Sequence, residues 1–235
     1  MQISNRLRAV ASMVTQGNRV ADIGCDHAFV PIYLIREGRI PSAIAMDVNS
    51  GPLLRARDHI DSYGLSEYIE TRLSNGLSAL GAGEADTVII AGMGGPLMQE
   101  ILCDGKEILR EIPEMILQPQ SDLEGFRRFL ARNGYGITQE HMILEDGKYY
   151  QMMRAVHGEV YELDEMQYRF GPMLLAEKNP ILARFLERES ILKRKILSRL
   201  EEEGIRTDES ERRREELLNE LFVIKEAQNA LREYN

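Results

Sequence analysis

One stretch of eight residues, Val20-Ala21-Asp22-Ile23-Gly24-Cys25-Asp26-His27, restricts the fold more than any other. An apolar run ends in an acidic residue, passes through a single glycine and opens into a short polar turn. Ala28 to Arg36 then reads as a helix, so the stretch is a strand-to-helix turn of an α/β sheet. Such sheets bind ligands at the carboxyl ends of their parallel strands. Gly24 lets backbone approach a ligand that a Cβ would hold off, although a plain tight turn also uses glycine. The acids beside it favour a cationic or amino-bearing ligand over a phosphate.

The 235 residues suffice for one α/β domain and an extension, and the 43% of hydrophobic residues for a sizeable core. A net charge of −9 means that any nucleic-acid surface has to be a local patch. Cys25 and Cys103 suggest neither a disulfide scaffold nor a metal cluster. No secretory leader and no apolar run of membrane-spanning length are read. The expectation is a reduced, cytoplasmic protein with no membrane contact, no metal and no obligate protein partner.

Residues 1 to 17 read as an amphipathic helix, with Ile3, Leu7, Val10 and Val14 at helical spacing and Arg6 and Arg8 beside them. This helix is expected to pack on the sheet and cover the site. The second strand, Ala43 to Met46, ends at Asp47, a carboxylate placed to accept two hydroxyl hydrogen bonds from a ribose, or else to cap the helix beyond it. Ile69 to Leu73 is a third strand, and Ser74-Asn75-Gly76 follows as a polar turn with an amide able to read an adenine edge. Thr87 to Ala91 reads as a central strand buried on both faces, and it breaks into Gly92-Met93-Gly94-Gly95-Pro96. Three glycines at a central strand tip are costly in entropy, and close approach of a flat ligand explains them. A helix is expected from there to Leu109. Met115 to Leu117 is a fifth strand ending in Gln118-Pro119-Gln120, and Ser121 is the expected cap of the next helix. Tyr135 to Leu144 and Tyr150 to Val156 read as two antiparallel closing strands around Glu145-Asp146-Gly147-Lys148.

From about Leu163 glycine nearly disappears and charged residues crowd in. Leu182, Phe185, Leu192, Ile196 and Leu200 form an apolar seam on one helix, and Leu217, Leu221, Ile224, Gln228 and Leu231 one on a second. Gly204 to Ser210 is the polar turn between them. Arg184, Arg188, Lys195 and Arg199 fall on the face opposite the first seam, either as a solvated face or as an RNA backbone contact. The hairpin itself could equally serve dimerisation.

The turn after the first strand lacks G-x-G-x-x-G, because Asp26 and Ala28 stand after Gly24, so a pyrophosphate cradle is disfavoured. An acid-flanked single-glycine turn suits S-adenosylmethionine, whose amino group and sulfonium are positive. With D-I-G-C-D-H at 22 to 27, P-I-Y-L-I at 31 to 35, D-V-N-S-G-P-L at 47 to 53 and N-G-L at 75 to 77, the chain resembles the bacterial tRNA adenine N1-methyltransferases that modify adenine 22. I-I-A-G-M-G-G at 89 to 95, L-Q-P at 117 to 119 and E-D-G-K-Y-Y at 145 to 150 complete the match, which spans most of residues 1 to 155.

The resemblance implies an α/β class I methyltransferase fold, with a Rossmann-like seven-stranded sheet over residues 1–158 and an antiparallel, coiled-coil-like helical hairpin over 159–235. It implies S-adenosylmethionine as donor and tRNA as acceptor. Asp22, Gly24 and Asp26 would border the methionine end of the donor, Asp47 would hold its ribose, Asn75 and Gly76 would sit by its adenine, and Cys25, His27, Val48, Gly92, Met93 and Gly94 are further candidate donor contacts. Gly92, Met93, Gly94 and Gly95 would line the acceptor pocket, where Met93, Gln118 and Tyr149 are the candidate catalytic residues. Each has a plainer reading: Met93 as loop packing, Gln118 as a tie on its own turn, Tyr149 as a hairpin core residue, His27 as a packing histidine. Arg6, Arg8, Lys148, Arg184, Arg188, Lys195 and Arg199 are the candidate nucleic-acid contacts. The rival readings are a nucleotide-dependent oxidoreductase, which Asp47 also suits, and a non-catalytic RNA adaptor that binds a methyl donor.

Overall fold

Val20–Ile23, Ala43–Asp47 and Glu114–Pro119 are buried at every position, as strands covered on both faces must be. The computed structural model describes residues 1, 3–158, 160–203 and 207–232, and these divide into two units, 1–162 and 163–235. No described helix is long and apolar enough to cross a membrane.

In chain order the first unit contains α1 (Asn5–Ser12), β1 (Val20–Ile23), α2 (Phe29–Arg36), β2 (Ala43–Asp47), α3 (Ser50–Ser62), β3 (Ile69–Leu73) and β4 (Thr87–Met93). It continues with α4 (Gly95–Asp104), α5 (Lys106–Leu109), β5 (Glu114–Pro119), α6 (Leu123–Arg132), β6 (Tyr135–Glu145) and β7 (Lys148–His157). The strands form one seven-stranded sheet in the order β3-β2-β1-β4-β5-β7-β6. The first five in that order are parallel, β7 adds antiparallel to β5, and β6 adds antiparallel to β7. This is the Rossmann-like sheet that the resemblance implied. The strand order reverses between β1 and β4, where Ile23 pairs with Ile90, so the tips of these two strands flank the switch point. The β6–β7 hairpin closes through Asp146 and Gly147, both at positive φ (49° and 74°), which matches the backbone twist of a two-residue hairpin turn.

Several boundaries differ from expectation, and four of the differences have a local reason. α1 is shorter than 1 to 17, because the Ser4 side chain accepts the Leu7 N–H and starts the helix there; Ile3, Val10 and Val14 are nonetheless buried. β4 runs past Ala91 to Met93, with a bulge against β5 where Gly92 takes φ +85°. The helix expected to reach Leu109 is two helices meeting at Gly105, where a Cβ would press on the Leu77 side chain at 2.3 Å. Asp122, not Ser121, caps α6 by accepting the Gly125 N–H, while Ser121 Oγ accepts the Gly95 N–H at 3.3 Å.

Gly95 is held tightly. A Cβ there would stand 2.5 Å from the Ser121 backbone carbonyl, which has no side-chain freedom with which to retreat. Gly95→Ala is expected to cost about 1–3 kcal/mol, the range for overpacking a tight site. Gly51, inside α3 with only Arg55 within 4 Å of its would-be Cβ, gives the opposite sign: Gly51→Ala gains about 0.5–1 kcal/mol through helix propensity. Thermal melts of the two variants check the pair.

The second unit contains α7 (Glu165–Phe170), α8 (Pro172–Ala176), α9 (Pro180–Glu203) and α10 (Asp208–Arg232). The capping box of Asp164 and Gln167 starts α7. α9 and α10 pack as the hairpin; of the turn expected at Gly204 to Ser210, residues 204–206 lie outside the described residues and Asp208 already belongs to α10. The α10 seam is as read, with Leu217 and Ile224 buried. The α9 seam is so only at Leu182, which is buried as read: Leu192 and Ile196 are exposed, and Leu186 and Ser190 are buried instead. The inward stripe of α9 carries the small Ser190 and a charged Lys193, which pairs with Glu220 of α10. Burial works against ionisation of Glu220, but the hydrogen bond to Lys193, with Arg169 and Arg213 nearby, holds its carboxyl below the ordinary range. A charged pair within the seam hides it from an apolar pattern.

Candidate active site

The turn after β1 is anchored to its neighbour. The N–H groups of Gly24 and Cys25 both donate to the Met46 carbonyl of β2, at 2.8 and 3.0 Å. Gly24, Asp26 and Ala28 all take positive φ (72°, 47° and 54°), and for the two non-glycine residues that conformation is strained. Strain of this kind persists where the surroundings over-determine it, and it gathers at ligand sites.

Below this turn, at the switch point, lies a cavity of about 510 Å³ lined by residues of α1, of the β1 turn and of the β4 tip. Its walls include Arg6, Asp22, Gly24, Cys25, Asp26 and His27, with Gly92, Met93 and Gln120 opposite. The sequence-named residues of the first and fourth turns are therefore brought together. The Met93 methyl lies directly over Gly24, at 2.1 Å from where a Cβ would stand.

The electrostatics of the cavity centre on Asp22, which is buried. Burial, followed by the charge of Asp47, pushes its carboxyl up to about 7. A cation in the cavity would stabilise the ionised form and lower that value. Burial, and then the charge of Asp22, also pushes the Cys25 thiol far above its ordinary range, so it is no nucleophile at neutral pH. The Asp26 carboxylate is turned to protein partners, with Arg55 at 3.0 Å and His27 Nε2 at 3.6 Å. His27 clusters with Phe29 and His59, each ring centroid 5.1 Å away, and its Nδ1 is buried without a hydrogen-bond partner.

Other candidates stand apart from the cavity. Asp47 sits at the β2 tip, its Oδ1 accepting the Asn49 N–H at 2.8 Å, with exposed Val48 beside it. Asn75 and Gly76 line a second depression of about 330 Å³ shared with Leu97, Glu100 and Ile101. Gly94 and Tyr149 are not among the cavity walls. Gln118 is fully buried behind the wall, where Oε1 accepts from Arg6 Nη1 at 2.8 Å and Nε2 donates to the Pro119 carbonyl at 3.2 Å. Arg6 is thus a half-buried cavity residue rather than an outward cation, whereas Arg8 and Lys148 are exposed. Gln120 is the residue that sequence reasoning missed. Its sequence neighbours mark it only as part of a turn, and the pairing of its N–H with the Met93 carbonyl, at 2.8 Å, is what brings it to the β4 tip. On the second unit, Arg184, Arg188, Lys195 and Arg199 are all exposed along α9.

Comparison with known proteins identifies the family. Residues 3–153 match the family model for a methyltransferase domain. The chain is 32% identical to a tRNA (adenine(22)-N(1))-methyltransferase of Bacillus subtilis over 96% of its own length and 97% of the relative's. A Streptococcus pneumoniae crystal structure in complex with S-adenosyl-L-methionine is similar with a TM-score of 0.85 and 34% identity, covering 97% of this chain and all of that one (100%). Mycoplasma capricolum TrmK in complex with S-adenosyl-homocysteine is similar with a TM-score of 0.82 and 30% identity, over 98% of this chain and 100% of the other.

Proposed function

Since the chain belongs to the tRNA (adenine(22)-N1)-methyltransferase family, we propose that it methylates N1 of an adenine in tRNA, adenine 22 being the expected target, with S-adenosylmethionine as donor. The observation that carries this reading is the cavity at the switch point, with buried Asp22 at its floor and the Gly24 turn in its wall. The donor supplies a methyl group on a positively charged sulfur, and adenine N1, which has a free lone pair, takes it by in-line displacement.

The residues fit that donor. Asp22 offers a carboxylate to positive charge, and Asp47 offers one to ribose hydroxyls at the neighbouring strand tip. Val48, Asn75 and Gly76 flank the place expected for the donor's adenine. Gly92 and Gly94 keep the β4 tip low enough for a flat base, and Met93 is the candidate side chain against it. Tyr149 is a weaker candidate, since it stands outside the cavity walls. A nitrogen with a free lone pair surrenders no proton before attack, so no general base is required and the packed His27 need not act as one. The contribution of the site is proximity and alignment. N1 lies on the pairing edge of adenine, so the target base has to be exposed or flipped. Arg8, Lys148 and the α9 stripe supply local positive charge for tRNA on a chain that is acidic in total. The hairpin unit is the expected grip on the tRNA body, and the cytoplasm the expected place of work.

Calorimetric titration separates this from the oxidoreductase reading. S-adenosylmethionine or S-adenosylhomocysteine is expected to saturate one site per chain, and NADH none. Stoichiometric NADH binding without binding of either methyl-donor species would overturn the proposal.

A further inference from the structure

Arg6 is held too well for a cation that merely waits for a polyanion. Its helix is pinned at the first turn, where the Glu145 carboxylate accepts the N–H of Asn5 at 2.6 Å and of Arg6 at 3.3 Å. Gln118, buried and anchored on the Pro119 carbonyl, receives one arm of the guanidinium, whose carbon stands 5.6 Å above the Tyr150 ring. The guanidinium hangs over bare backbone: a Cβ on Gly92 would come within 3.5 Å of Arg6 Nη1. Among the described residues lining this cavity, Arg6 is the sole arginine or lysine, while Asp22 and Asp26 are its acids.

The cavity is therefore polarised. Asp22 lies on β1, and Arg6 lies over Gly92 at the tip of the adjacent strand β4, three residues beyond the Ile89 that pairs with Asp22. A ligand that reaches both carries a positive group and a negative group. The amino-acid end of the methyl donor is such a zwitterion, with ammonium and carboxylate on one carbon. A nucleotide phosphate would suit Arg6 but would be set against Asp22. We infer that Arg6 binds the carboxylate of the donor's amino-acid end, and that Gln118 is a positioning residue which aims it. The inference rests on the donor assignment above, and it takes Arg6 out of the tRNA-binding track.

The test is calorimetric titration of the full chain with S-adenosylmethionine and with its decarboxylated form, which keeps the ammonium and the sulfonium. The wild type is expected to prefer the carboxylated form by about 30- to 100-fold, the scale of a charge-assisted pair. In Arg6→Met that preference should vanish through loss of S-adenosylmethionine affinity, with binding of the decarboxylated form within threefold of wild type, which also reports that the variant is folded. Arg6→Lys should recover part of the preference. Gln118→Met should lower it by about five- to tenfold through weaker binding of S-adenosylmethionine, with the affinity for the decarboxylated form within threefold of wild type. A preference that survives in Arg6→Met overturns the inference, as does unaltered donor binding with a raised KM for tRNA, which would assign Arg6 to phosphate. If the wild type binds neither form, the donor assignment itself has failed.

Discussion

Asp22→Asn is expected to weaken S-adenosylmethionine binding at pH 8 by about 30- to 150-fold while making the ligand-free protein more stable. Both effects follow from one buried carboxyl whose ionisation is opposed first by burial and then by Asp47, and which is raised to about 7. A cationic ligand favours the ionised form, so wild-type donor affinity should rise with pH towards 7 and level off above it, and fall by up to tenfold per unit as pH drops below 7. Asparagine cannot ionise, so the variant loses this pH dependence along with about 2–3 kcal/mol of charge-assisted interaction. Stability runs the other way. The folded-state value lies above the unfolded value of about 4, so the native state binds the extra proton between them. This group therefore lowers stability as pH rises from about 4 to about 7, and the loss is complete above that. Asp22→Asn escapes it and should be the more stable protein at pH 8, by on the order of a few kcal/mol, with the advantage fading towards pH 4. Calorimetric donor titrations and thermal melts across pH 5 to 8 read both quantities. Donor affinity that is flat from pH 6 to 8 would contradict the role given to Asp22.

Reversing the charge of Arg184, Arg188, Lys195 and Arg199 together should reduce tRNA affinity by a hundredfold or more at low salt and leave donor affinity unchanged. At about 100° per residue, these four fall within one narrow arc of α9, away from the buried Leu182, Leu186 and Ser190. All four are exposed, so reversal disturbs little packing. For every phosphate that the stripe no longer neutralises, the dependence of log affinity on log salt should flatten by about 0.7–0.9. Four such phosphates would together lower the slope by about three, read from filter-binding curves at several salt concentrations. An unchanged affinity and slope would make the stripe an ordinary solvated face.

What is legible in the sequence is what a local stretch of backbone decides. Gly24, Gly92 and the Asp146-Gly147 turn each occupy positive φ for reasons contained in a few neighbouring residues, so the strand tips and the hairpin can be read directly. The continuous apolar run before Gly92 likewise locates the central strand. The pairing of Arg6 with Gln118 cannot be read, since 112 residues separate the partners and each looks plausible in another role. The same holds for Glu145, which ties down a helix 140 residues away. The α9 seam misleads because Lys193 and Ser190 face inward, and a periodicity argument treats both as surface residues. Ser121 and Asp122 are both good cap residues by type, and only the tertiary demand of Gly95 on Ser121 distributes the two roles.

The central claim is that this chain places a methyl group on one nitrogen of one tRNA base. Incubating it with an unmodified tRNA transcript and S-adenosylmethionine, then mapping the methylated nucleoside by mass spectrometry, tests that most directly. The account predicts a single N1-methyladenosine at position 22. Methylation of another base or atom, or none at all from protein that demonstrably binds the donor, would contradict it.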